Sequence, residues 1–263
     1  MHREKNIAMK PEHLSKAIGD QFSDKSIVEN YGYRPEYSSD VIQFLSDSLT
    51  ISEMDVLDIG TGTGEIAIPL SMLGHRVVGV DPSLEMIKAA TLKHSKVKFV
   101  HSYIENFVPK SHFDLFVAAN SIHWADWEKA FPVLKSVSKS HAKLAIVTGG
   151  DISLEGLQRE LLDLIQSYST TQNFKPYCVI NMLDQGGFIK NVVATEMAAV
   201  TVEQNINDYI ASFHARNGFS LERMGPYLAQ EFDDQLRSLL AKKGFLENIR
   251  GQVTYKVTIA DMV

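Results

Sequence analysis

The stretch VLDIGTGTGEIAIPL, residues 56–70, restricts more than any other what this chain can fold into. An apolar run leads into Gly60, Gly62 and Gly64, and a second apolar run follows. Glycines this close together weaken regular structure unless the backbone must turn tightly or approach something closely. The reading is a buried strand, a turn, and a helix. Such a turn at a strand's carboxyl end is where open α/β sheets bind ligands.

The neighbouring sequence repeats this strand-then-helix alternation. MDVLDIG, HRVVGVD, KVKFVHS, HFDLFVAAN and KLAIVTGG read as five buried strands. Helical patterns over Glu65 to Leu73, Ser83 to about His94 and Asp126 to Ser138 separate several of them. Continuous apolar strands alternating with amphipathic helices predict a doubly wound α/β sheet, mostly parallel and covered on both faces. Around it the chain divides into residues 1–50, polar and then helical, residues 51–150, the alternating core, and residues 151–263. The third part contains a helical pattern from Leu154 to Ser169, the irregular TTQNFKPYCVINMLDQGG, the strand-like NVVATEMAAVTV, two helical stretches and the alternating GQVTYKVTIADMV. With no repeat and no Pro/Ser-rich linker, these read as additions to one core, a single domain overall. Pro35 should end any helix before Arg34.

Composition narrows the function. A net charge of −6 speaks against a broad nucleic-acid or anionic-membrane surface. The single cysteine, Cys178, permits no intrachain disulfide and no cysteine-built zinc site, and fits a reducing, cytoplasmic setting. No stretch approaches the roughly 18 continuous apolar residues of a membrane span, and MHREKNIAMKPEHL has no apolar signal core. No metal motif stands out, and oligomeric state is not legible.

Three ligands compete for the glycine loop. A phosphate-binding loop would end in Lys followed by Ser or Thr, whereas Gly64 is followed by Glu65 and Ile66. A dinucleotide loop is spaced G-x-G-x-x-G, and Gly60-Thr61-Gly62-Thr63-Gly64 is one residue short. Asp58 before the loop would also crowd a pyrophosphate. The third candidate carries a ribose and a positive charge but no phosphate, and Asp58 then helps. Asp81 ends the second strand 21 residues after Gly60, a fitting place for a carboxylate that accepts from both ribose hydroxyls. Its alternative is a helix cap.

With VVGVDPSLEMIKAA following, the loop resembles that of class I S-adenosylmethionine-dependent methyltransferases. The similarity is greatest to the small-molecule branch containing quinone-biosynthesis and trans-aconitate methyltransferases. It is strong over residues 51–150 and looser elsewhere. The resemblance implies a seven-stranded Rossmann-like sheet ending in an antiparallel C-terminal hairpin, for which NVVATEMAAVTV and GQVTYKVTIADM are suited. It also implies a helical cap over the acceptor and an N-terminal helical lid. It places Gly60, Thr61, Gly62 and Gly64 under the methionyl and ribose parts and Asp58 near the ammonium group. Asp81 would hold the ribose, and Pro82 and Met86 the adenine. Where the family has Gly-Asp-Ala, this chain has HSYIEN, so Tyr103 replaces the adenine-binding Asp. Ile104 then offers its backbone N–H, and Glu105 is a substitute acceptor. Asn120 and Ser121 would line the cofactor. Tyr31, Tyr33 and Arg34 resemble a lid segment, and Arg34 would pair the methionyl carboxylate or else lie at the surface.

His123 has the pKa range of a general base, or it orders its loop beside the cofactor. Trp124 and Trp127 are packing groups or substrate platforms. Phe174, Tyr177, Tyr209, Phe213, His214 and Arg216 are expected around the acceptor, with His214 a second catalytic candidate; aromatics at helical spacing are also core-formers. The expected activity is methyl transfer from S-adenosyl-L-methionine, leaving S-adenosyl-L-homocysteine, to a small organic acceptor at oxygen or carbon. The absence of prolines after Asn120 and the acidic charge disfavour a nucleic-acid acceptor. The rivals are a cofactor-assisted non-methylating enzyme on the same fold, a non-catalytic binding or partner protein, and a nicotinamide dehydrogenase.

Overall fold

The computed structural model describes residues 10–94, 96–171 and 174–263. Five strands run parallel: β1 (Asp55–Ile59), β2 (Arg76–Asp81), β3 (Lys98–His101), β4 (Phe113–Ala119) and β5 (Ser138–Ser153). β6 (Ile189–Glu196), β7 (Val200–Asn205) and β8 (Asn248–Met262) complete the sheet. Its order is β3-β2-β1-β4-β5-β8-β6, with β7 also on β8, and β8 is antiparallel to β5, β6 and β7.

The seven expected strands are therefore eight, for a local reason. NVVATEMAAVTV forms not one strand but two, interrupted over residues 197–199. β6 pairs with Lys256–Met262 and β7 with Asn248–Val253, so the two halves follow one another along a single partner. Met197 N donates to Tyr255 O across the break, at 2.8 Å. The strand bends there without leaving its neighbour.

Alternation along the central strands feeds two cores. Val56, Leu115, Val117, Ala145 and Val147 point to one face, with Leu70, Leu236 and Leu240 from the helices Ala67–Met72 and Leu221–Lys242. Leu57, Phe116, Ala118, Leu144 and Ile146 point to the other, against Trp127, Phe131 and Leu134 of the helix Trp127–Ser136. Each large apolar side chain removed from water contributes about 1.5–3 kcal/mol, so shifting a strand by one residue exchanges both faces at once.

The expected break at Pro35 is present: Tyr31–Tyr33 is a single 3-10 turn and Arg34 is extended, with ψ 147°. Ser38 then caps the helix Ser39–Ser46, accepting from Val41 N at 3.4 Å. The strand order reverses between β2 and β4 on either side of β1, which opens a crevice at the carboxyl end of β1. Among the described residues no helix is long and apolar enough to cross a membrane.

Candidate functional site

The chain leaves β1 at Ile59 and enters the glycine loop. Gly60 N and Thr61 N both donate to Val80 O of β2, at 2.8 and 3.0 Å. Gly60 has φ +67°, and a Cβ there would stand 2.5 Å from the Ser121 Cβ. Only glycine lets the loop lie against the end of β4, where the Ser121 hydroxyl donates to Ile59 O at 2.5 Å. Gly62 N donates to Asp81 Oδ2 at 2.9 Å, and Ser83 N to Asp81 Oδ1 at 2.8 Å. A carboxylate has about four acceptor positions, so two directions remain for a ligand's hydroxyls.

Burial pushes the Asp81 carboxyl up to about 6, against the backbone hydrogen bonds from Ser83 and Gly62 that pull it down. Asp58 is more deeply enclosed. It accepts the Thr61 hydroxyl at 2.6 Å, and burial raises it to about 7, with Glu65 and Asp81 adding to the rise. Two buried carboxylates held this way favour a cationic, hydroxyl-bearing ligand and disfavour a phosphate.

These groups border a cavity of about 380 Å³, within the roughly 300–1,000 Å³ of pockets that hold small organic ligands. Of the residues expected around a cofactor, Tyr31, Gly60, Gly62, Asp81, Pro82, Met86, Tyr103, Ile104, Glu105, Asn120 and Ser121 line it, as does Trp124. Asp58 and Thr61 lie buried beneath the loop. Gly64 lies in a second cavity of about 240 Å³, as does Arg34. Tyr31 and Asn120 border both. Asn120 is held at φ 49° while its side-chain amide donates to Gly149 O at 2.8 Å. A left-handed non-glycine backbone stores strain, and it stands here where the cavities meet.

Tyr103 fills its place differently from an aspartate. Its hydroxyl donates to Asp20 Oδ1 at 2.8 Å and accepts from Lys16 Nζ at 2.6 Å. The Lys16 ammonium stands 3.9 Å from the ring centroid. Glu105 accepts from Asp126 N at 2.5 Å. Lys16, Gly19, Asp20 and Phe22, which no motif singled out within the expected N-terminal lid, build another wall of the cavity. Gly19 lies so close to Trp124 that a Cβ would meet the indole at 3.2 Å, and Phe22 meets the same ring edge-on at 5.8 Å.

Other expectations are corrected. His123 lines neither cavity. It packs against Trp124 and Tyr177, with ring centroids 4.6 and 5.8 Å away. Burial pushes its pKa down to about 3, with Lys10 and His13 acting in the same direction. It is a neutral packing group, as is Trp127, whose Nε1 donates to Ile122 O at 2.7 Å. His214 is fully enclosed, with Nδ1 on Phe219 O at 2.8 Å and Nε2 on Asp233 at 3.0 Å. Phe213 and Tyr209 belong to the core beside Phe232. Arg216 lies over Phe213 at 4.2 Å and pairs with Asp151 at 3.2 Å. Phe174 and Tyr177 meet His13. Those two lie in an irregular segment, Phe174 exposed, and no residue from 151 to 254 lines either cavity. The N-terminal segment supplies the cover instead.

A doubly wound sheet with a glycine loop after β1 and a carboxylate ending β2 defines a Rossmann-like nucleoside-binding fold. Residues 56–143 match the family model described as a methyltransferase domain. They form a methyltransferase domain of the class I, S-adenosylmethionine-dependent type. The ubiquinone biosynthesis O-methyltransferase of Bradyrhizobium diazoefficiens is 43% identical over 67 residues, 24% of this chain and 26% of that protein. An uncharacterized methyltransferase of Mycobacterium tuberculosis is 31% identical over 134 residues, 50% and 54% of the two chains. The chain thus spans about a quarter to half the length of these curated relatives. Among solved structures, a candidate type II methyltransferase from Anaeromyxobacter dehalogenans superposes with a TM-score of 0.60 at 22% identity, over 86% of this chain and 96% of that one. A Haemonchus contortus phosphoethanolamine N-methyltransferase, solved with S-adenosylhomocysteine, gives 0.54 at 15% identity, over 94% and 59%. At these identities the structures establish shared fold.

Proposed function

We propose that this chain transfers a methyl group from S-adenosyl-L-methionine to a small organic acceptor, at oxygen or carbon. The observation that carries the reading is the unit formed by Gly62 and Asp81 at the edge of the 380 Å³ cavity. The fit to the cofactor rests on three features of the residues present. Gly60 and Gly62 bring the loop backbone to the wall of the cavity, with no side chain between it and a ligand. Asp81 retains acceptor capacity for ribose hydroxyls, and the buried carboxylates suit a cation. Pro82, Met86 and Ile104 give an apolar wall for the base, with Tyr103 and Lys16 at its edge.

When bound, the cofactor supplies an electrophilic methyl on a sulfonium. The protein's part is orientation and exclusion of water. Asp81 and Gly62 would fix the ribose, while Asn120 and Ser121 would set the position of the reacting end. The N-terminal cover would shut out solvent. With His123 and His214 turned away, neither histidine serves as a base in this reading.

The test is calorimetric titration with S-adenosyl-L-methionine and S-adenosyl-L-homocysteine, followed by incubation with methyl-labelled cofactor and small acceptors. Micromolar binding and movement of label are expected. Absence of binding sinks the reading.

A further inference from the structure

The second cavity adjoins the first through Tyr31 and Asn120, and its polar lining is rich in unspent donors. Arg34 is half-buried and, among the described residues, has neither an ion-pair nor a hydrogen-bond partner; its guanidinium rests 5.4 Å from the Tyr31 ring. The Tyr31 hydroxyl has no hydrogen-bond partner there either. Tyr37 accepts from Asn120 Nδ2 at 3.4 Å, which leaves its own hydrogen free. Burial holds both phenols above their ordinary pKa, so both remain neutral donors.

The negative groups nearby are mostly committed. Glu65 pairs with Lys93 at 2.9 Å and also takes the Thr63 hydroxyl. Asp151 pairs with Arg216 at 3.2 Å. Glu36 has an exposed side chain, and its backbone oxygen takes the Tyr255 hydroxyl at 2.9 Å. A guanidinium withdrawn from water without a counter-ion is unfavourable, and its planar fork matches a carboxylate.

We propose that this cavity is the acceptor subsite and that it selects a compact acceptor bearing a carboxylate, held by Arg34 with the hydroxyls of Tyr31 and Tyr37. The proposal rests on the first cavity being the cofactor site. Asn120 bounds both spaces, so a ligand in the second stands next to one in the first. At about 240 Å³ the space is below the roughly 300 Å³ at which pockets for drug-sized ligands begin, so the acceptor is small. The methionyl carboxylate of the cofactor offers the same chemistry. Arg34 lies in the second cavity and not the first, which favours the acceptor.

The experiment titrates protein saturated with S-adenosyl-L-homocysteine with benzoate, 4-hydroxybenzoate and fumarate, each beside its amide. At least one acid should bind tenfold or more tightly than its amide. Arg34→Gln should abolish that preference and change the affinity for S-adenosyl-L-homocysteine less than threefold. Arg34→Lys, which keeps the charge but not the fork, should retain part of it and guards against misfolding. Acids and amides binding alike, or none binding, overturns the proposal. So does a tenfold loss of S-adenosyl-L-homocysteine affinity in Arg34→Gln, which assigns the guanidinium to the cofactor. Failure of the wild type to bind S-adenosyl-L-homocysteine at all is a separate result, overturning the cofactor reading and this proposal with it.

Discussion

The Asp81 carboxylate accepts the Gly62 backbone N–H at 2.9 Å, joining the glycine loop to the end of β2. One side chain thereby shapes the loop and presents acceptor oxygens to the cavity. Asp81→Asn keeps the size but turns one acceptor into a donor, facing either Gly62 N or Ser83 N. A hydrogen bond to a charged group contributes about 1.5–3 kcal/mol, so affinity for S-adenosyl-L-homocysteine should fall roughly 10- to 150-fold. Calorimetry checks this, and an unchanged affinity would remove Asp81 from the site.

Asp58 links stability to pH in a direction opposite to its role in binding. Its folded pKa, about 7, exceeds the value near 3.9 of an unfolded aspartate. Between those values the folded protein binds the extra proton, so this group favours folding at low pH and its contribution is lost as pH rises through 7. Asp58→Asn should therefore melt higher than the wild type at pH 8, by about 3–6 °C for ~1–2 kcal/mol. The advantage should shrink towards pH 5, and so should the loss of affinity for the cationic cofactor, because Asp58 is itself protonated there. Paired melting curves across that range measure the difference, and a constant offset would contradict the raised pKa.

Much of this was legible in the sequence because short-range rules govern it. The strand-turn-helix at Gly60 to Gly64 and the carboxylate at Asp81 sit at fixed offsets within one βαβ unit, and the structure brings them together. The resemblance implied an N-terminal lid, but the particular residues that wall the cavity were not legible. Lys16, Asp20 and Phe22 reach Tyr103 and Trp124 across more than eighty residues, and no local periodicity encodes such a contact. Phe213 and His214 misled for the converse reason. Aromatic and titratable residues suit a pocket or a core equally, and the packing of Phe232 and the carboxylate of Asp233 decided for the core.

Tyr103 should act as a fastening between the cover and the part of the cavity wall that follows β3. Its hydroxyl joins Asp20 and Lys16 at one point. Tyr103→Phe removes both hydrogen bonds and keeps the ring beneath Lys16. At about 0.5–1.5 kcal/mol for each hydrogen bond, opening of the cover should become several-fold to a hundredfold more frequent. Hydrogen-exchange mass spectrometry should show faster exchange over residues 13–24, with little change over β1 and β4. Protection left unchanged in that segment would show that the cover is held elsewhere.

Gly60 and Ser121 make a separable pair. Gly60→Ala meets two obstacles, a φ of +67° and a Cβ 2.5 Å from that of Ser121. The left-handed backbone costs about 1–2 kcal/mol for an alanine. The overlap adds a term that depends on Ser121 alone, because backbone strain is blind to that side chain. Ser121→Gly removes the overlap and also the hydroxyl bonded to Ile59 O, a loss of about 1 kcal/mol. The double variant should therefore be more stable than the sum of the two single losses, with a coupling of about 1–3 kcal/mol, within the range for residues in direct contact. Urea melts of the four proteins supply the cycle. Strict additivity would mean that the loop shifts to accommodate the methyl, and that Gly60 is needed for its conformation and not for its closeness to β4.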